Sequence, residues 1–188
     1  MKKLTVILAL ALFAFSCGEG DISEEVDVPE SIENTPTPDK TQNVLALANF
    51  TMKVPSEWRS EKPDFNMRIV QYAPTRDTLV KITGFYFGDQ PNMVRANIER
   101  WKNQFVTVDN FAEETLDSEI NFVKITGTYM KKDRPMAQEF DEAEDYVMLA
   151  AIVPSNEGPY YFKAVGPKEV MEDEIPVFKK FLKSYTAK

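Results

Sequence analysis

Four residues have types and spacing that could hold a ligand: Arg68, Asn97, Arg100 and Gln104. The last three sit three and four residues apart and share one face if their segment is helical, and Arg68 lies on a strand-like run with Gln71. A guanidinium with amides beside it suits a carboxylate or a carbonyl. The same groups also suit helix ends and buried backbone in a structural hydrogen-bond network, which is the default reading for such a set.

A second concentration is Glu139-Phe-Asp-Glu-Ala-Glu-Asp145, five carboxylates within seven residues. Clustered oxygen ligands suit calcium, but the glycine-centred spacing of a calcium loop is missing. The run therefore reads as a solvated loop before a strand at Tyr146, and no metal or other cofactor is expected. Two carboxylates could in principle hydrolyse a glycoside, but sequence cannot set their separation.

The rest of the chemical repertoire is narrow. The 188 residues include no histidine, and Cys17 is the single cysteine. That excludes His-assisted nucleophiles, intrachain disulfides and zinc sites of Cys and His. Seven glycines leave little room for a phosphate-cradling loop, and neither such a motif nor a dinucleotide fingerprint occurs. With no catalytic set in view, the chain is expected not to be an enzyme.

Cys17 has a different context. Lys2 and Lys3 precede an apolar run from Leu4 to Phe15, too short for the roughly 20 residues of a membrane-spanning helix, so the segment reads as a cleavable signal. Ala14-Phe15-Ser16-Cys17 resembles the lipobox of bacterial lipoproteins, in which the cysteine is acylated and becomes the new amino terminus; Phe15 is bulkier than usual there. Lipidation at Cys17, with palmitate-like chains, implies anchorage in the cell envelope, the outer membrane being the expected one. Residues 18–43 carry eight acids against Lys40 alone, together with three prolines, and read as a disordered tether. An acidic stretch just after the cysteine is also similar to export signals of some surface lipoproteins. The boundaries expected are a signal peptide over 1–16, a lipidated tether over 17–44 and one globular domain over 45–188.

The whole chain has 22 basic and 30 acidic residues, a net of -8. Since the tether holds most of that excess, the domain is near neutral, with nothing to draw a phosphate backbone; no nucleic-acid partner is expected. The expected partners are the membrane, through Cys17, and an envelope protein.

Within the domain, Phe50 to Val54 alternates as a strand does, and Met67 to Ala73 and Leu79 to Phe87 form a hairpin around Pro74-Thr-Arg-Asp77. Pro91 opens a helix whose stripe is Val94, Ile98, Trp101 and Phe105. Val123 to Tyr129 alternates again. The continuous run Val147 to Val153 reads as a strand buried on both faces, and Asn156-Glu-Gly158 turns it into Pro159 to Val165. The last segment has the helical stripe Phe178, Phe181, Leu182 and Tyr185; Pro176 predicts a short helix, a break near Glu174 and a second helix from Ile175. The sum is an α+β fold, an antiparallel sheet with helices against it.

That order of elements, with Trp58, Met67-Arg68, Gln71, Phe85-Tyr-Phe-Gly88, Asn97, Arg100-Trp101, Gln104-Phe105, Gly127-Thr-Tyr129, Ala151-Ile-Val153 and Gly158-Pro-Tyr-Tyr-Phe-Lys163, resembles a bacterial lipoprotein family without an assigned activity. Its domain is similar in arrangement to the PsbP extrinsic protein of photosystem II and the Ran-binding Mog proteins. The resemblance implies an αβα sandwich and a non-catalytic accessory or binding role, and it assigns no functional residue. Two functions therefore stand: an envelope lipoprotein that binds a protein or assists a membrane complex, and a carboxylate- or Arg-based domain that binds or hydrolyses a small ligand.

Overall fold

The computed structural model describes residues 43–89, 93–134 and 137–188. The signal segment, Cys17, nearly all of the tether and the helix-opening Pro91 lie outside the described residues.

Among the described residues, ten strands and two α-helices follow in the order β1 (Val44–Ala46), β2 (Phe50–Lys53), β3 (Trp58–Glu61), β4 (Arg68–Pro74), β5 (Lys81–Tyr86), α1 (Val94–Lys102), β6 (Phe105–Leu116), β7 (Ile120–Lys131), β8 (Asp141–Val153), β9 (Tyr160–Pro167), α2 (Lys168–Lys183) and β10 (Thr186–Ala187). Seven strands form one antiparallel sheet in the order β3-β4-β5-β9-β8-β7-β6; a small sheet, β1-β2-β10, ties the C-terminus to the start of the domain. The fold is α+β with a mainly antiparallel sheet, as the alternation and turn signals imply.

Alternation along β8 and β9 separates two apolar layers. Val147, Leu149, Ala151 and Val153, with Tyr160, Phe162 and Ala164, pack with Met171, Phe178, Phe181 and Leu182 of α2 and with Phe50 and Met52. Met148, Ala150, Ile152 and Tyr161 turn the other way and pack with Ile98 and Trp101 of α1. Every residue from Val147 to Val153 is buried, as expected for an interior strand.

Three expectations are corrected. The helix stops at Lys102, and Phe105 opens strand β6, where it pairs with Tyr129; β-branched Val106, Thr107 and Val108 favour the strand. Pro176 does not break the last helix: α2 is continuous because the prolyl ring is on the exposed face, where water can take the carbonyl of Glu172, while five buried residues hold the opposite face down. The acidic run is not a loop before Tyr146. Asp141–Asp145 already belongs to β8, since Lys131↔Asp141, Met130↔Glu142 and Tyr129↔Ala143 pairing extends the β7–β8 ladder outward.

The α2 face also contains a buried charge. Glu174 accepts a hydrogen bond from Trp58 Nε1 at 2.9 Å and from Arg76 Nη2 at 2.8 Å, so α2, β3 and the turn after β4 are joined by one satisfied carboxylate. A buried charge is tolerated when it is paired and hydrogen-bonded in this way.

Candidate functional site

Helix α1 has nine residues, about 14 Å, against sixteen in α2, about 24 Å, on a sheet roughly 29 Å wide across its seven strands. The shorter helix packs over β6 to β9 and leaves β4, β5 and part of β9 uncovered on its face. There the sheet opens into a cleft of about 560 Å³, within the range of small-molecule sites.

Sheet register sets what reaches that cleft. Gln71, Thr83 and Lys163 form one cross-strand row, and Arg68, Phe85 and Tyr161 form the next. Arg68 and Gln71 are three apart, a spacing that puts side chains on opposite faces of a regular strand. A register shift between Arg68 and Val70 brings them to the same face. Lys131, Lys132 and Asp133 contribute from the end of β7, and Arg100, Trp101, Asn103 and Gln104 from the end of α1.

Arg68 is held by a chain of contacts. Its Nη1 donates to Gln71 Oε1 at 2.6 Å and to Asp64 Oδ2 at 3.2 Å. Buried Gln71 in turn donates to Asp64 at 3.0 Å and to Glu61 at 3.2 Å, and Glu61 accepts from Lys81 Nζ at 2.7 Å and Arg59 Nη2 at 2.8 Å. Hydrogen bonds from Lys81 and Arg59 hold the Glu61 carboxyl down at about 2. Burial lowers the Arg68 guanidinium from its usual value, with Asp64 opposing. The Phe65 ring lies 4.8 Å below the guanidinium carbon.

Lys163 is half-buried, and its Nζ donates to Gln104 Oε1 at 2.9 Å. Gln104 is oriented by its own Nε2 donating to the Arg100 carbonyl at 3.2 Å. Desolvation, then the charges of Arg100 and Arg68, push the Lys163 ammonium down to about 8. Among the described residues no carboxylate pairs with Lys163, Arg100, Lys131 or Lys132. Five cations and one acid thus line a cleft in a chain that is acidic overall.

The walls are aromatic and apolar. Phe85 and Phe87 stack with centroids 6.1 Å apart, and the Arg100 guanidinium lies 6.0 Å from the Phe87 ring. Burial raises the Tyr161 hydroxyl, opposed by the Arg100 charge and a hydrogen bond with Asn97. At the rim Met67 is 60% exposed and Phe65 37% exposed, an apolar lip on a cationic floor.

Of the four residues singled out by type, Arg68, Arg100 and Gln104 line this cleft. Asn97 does not: it is buried behind the cleft and donates to the Met93 carbonyl at 2.9 Å. Gln104 lies past the end of α1, not on its helical face. Lys163 was not singled out. Its signal is a lysine in the otherwise apolar run Tyr160-Tyr-Phe-Lys-Ala-Val165. The carboxylates at 139, 141, 142, 144 and 145 are all exposed, and no metal-holding group of His, Cys, Asp or Glu occurs among the described residues.

No protein-family model matches the chain, and no curated protein sequence matches it. Among solved structures, the solution structure of cyanobacterial PsbP (CyanoP) from Synechocystis sp. PCC 6803 is similar, with a TM-score of 0.48 and 8% identity, covering 74% of this chain and 86% of that one. A likeness of that size transfers no residue from one chain to the other.

Proposed function

We propose that the chain is a non-catalytic envelope lipoprotein, anchored through Cys17, whose domain binds an anionic ligand with an aromatic or apolar body in the cleft beside α1. The observation that carries the reading is the cluster of Arg68, Arg100 and Lys163 in a cleft with aromatic walls, three cations against the single carboxylate of Asp64 on Arg68. Holding like charges together away from full hydration is costly to stability, and such costs persist where function needs them. An anion seated among them relieves the repulsion, and the Phe and Tyr walls take the apolar body of the same molecule. Of the two functions the sequence leaves open, an Arg-lined cleft favours the small-ligand one.

The anchor rests on the lipobox-like Ala14 to Cys17, and the αβα arrangement of the PsbP and Mog type is supported by the two apolar layers that gather α1 and α2 separately. The ligand reading is tested by calorimetric titration with phenyl phosphate and benzoate against phenol and benzyl alcohol. Binding of the anions alone, weakened roughly tenfold or more by Arg68→Met or Arg100→Met, is the expected result; equal behaviour of neutral and anionic compounds contradicts it. Cys17→Ser should move the protein from the membrane to the soluble fraction. Continued detergent-requiring association of that variant contradicts the anchor.

A further inference from the structure

Lys163 differs from the other cations of the cleft in what it can do once an anion is bound. An arginine holds a ligand by charge and hydrogen bonds, whereas a lysine amine that gives up its proton near neutral pH is also a nucleophile. We propose that Lys163 captures anions bearing an aldehyde or ketone carbon as a reversible imine on its Nζ. This rests on the anion-cleft reading above and adds to it the class of ligand.

Three observations place the amine for that step. Lys163 shares its cross-strand row with Thr83, next to the row that holds Arg68 and Tyr161, so it stands on the floor of the cleft. Gln104 Oε1 accepts one of its N–H bonds at 2.9 Å, which fixes the nitrogen while leaving its lone pair available in the neutral form. The flanking guanidiniums of Arg68 and Arg100 lower the cost of the neutral amine and also attract a carboxylate or phosphate on the incoming molecule. Desolvation beside a second cation is a known way for a protein to activate a lysine.

The chemistry balances without any further reagent. The Nζ lone pair attacks the carbonyl carbon, the C–N bond forms, and the carbonyl oxygen gains a proton to give a carbinolamine. Loss of that hydroxyl as water, with the remaining N–H proton, leaves the C=N bond; water reverses the sequence. No group is oxidised or reduced.

The test uses the full chain with pyridoxal 5′-phosphate, an aromatic aldehyde carrying a phosphate, and cyanoborohydride at pH 8, near the value to which burial and the two guanidiniums lower the Lys163 amine. Peptide mass mapping should find the reduced adduct on Lys163, and excess 4-deoxypyridoxine 5′-phosphate, which has the ring and phosphate but no aldehyde, should suppress it. Lys163→Arg should lose the adduct; Lys163→Met serves as a second variant should the arginine not fit. Modification scattered over exposed lysines, with Lys163 untouched while the deoxy analogue still binds, overturns the imine and leaves the anion cleft standing. Failure of both compounds to bind removes the two together.

Discussion

The two faces of the seven-stranded sheet treat charge in opposite ways. On the α2 face the buried Glu174 has a cation and an indole N–H, and everything around it is apolar. On the α1 face Lys163 is crowded by Arg100 and Arg68 with no carboxylate of its own. Both are charged groups at the surface of the sheet, Glu174 on a helix and Lys163 on a strand, but one is compensated by an opposite charge and the other is not. The difference follows from helix length: sixteen residues close one face, and nine leave the other open.

That contrast can be broken or sharpened by substitution. The largest effect belongs to the closed face, where Phe178→Ala should cost about 4 kcal/mol and Glu174→Ala about 2 kcal/mol by leaving the buried Trp58 N–H without its acceptor, both read from urea denaturation. A loss under about 1 kcal/mol for Glu174→Ala would mean that the hydrogen bond from Trp58 is not what joins α2 to β3.

On the open face the sign reverses. Lys163→Met should raise stability at pH 7, by about 1 to 3 kcal/mol, because it removes a charge the fold disfavours. The same imbalance gives a pH signature. The folded-state value is about 8 against 10.5 for the free group, so between those limits the unfolded chain binds more protons and stability rises with pH. The stability of wild type relative to Lys163→Met should therefore rise across the window. Wild-type and Lys163→Met curves that run parallel over that window would contradict the environment assigned to Lys163, the difference cancelling the opposing slope of the buried tyrosines.

A smaller effect is expected where the open face is supported from behind. Glu61→Gln should cost about 1 kcal/mol, since the pairs with Lys81 and Arg59 are partly solvated, and should weaken anion binding by loosening Gln71 and Arg68. The Glu61 contribution is present above its free value of 4.5 and is lost as the pH falls toward about 2. Acid titration of wild type against the variant reads it. The smallest effect is none: changing Glu139, Asp141, Glu142, Glu144 and Asp145 to amides should leave the melting temperature equally indifferent to calcium and to chelator, within about 1 °C.

Much of this was legible where local signals agree with the fold. The hairpin around Pro74 to Asp77 and the one around Asn156 to Gly158 carry both alternation and turn residues, and both are present. Strand β6 carries neither signal clearly, because an edge strand is mostly exposed and guarded by charge: Glu113 pairs with Arg95 at 3.0 Å and Glu114 with Lys179. Pro176 misled because the rule against interior proline assumes a buried or unsatisfied carbonyl, and here the proline faces water. Of the residues singled out by type, Arg68, Arg100 and Gln104 line the cleft. Lys163 needed knowledge that α1 ends early, and the shared face of Arg68 and Gln71 needed the bulge at Arg68, neither of which is visible in periodicity.

The central claim is that the opening beside α1 is an anion site. Amide and lysine-side-chain NMR shifts during a titration with phenyl phosphate test it most directly. Saturable changes centred on Arg68, Thr83, Gln104 and Lys163, with the α2 face unmoved and the response lost in Arg68→Met and Arg100→Met, are the result the account predicts. Changes that do not saturate, or that spread over the exposed lysines and leave Lys163 unmoved, would contradict it.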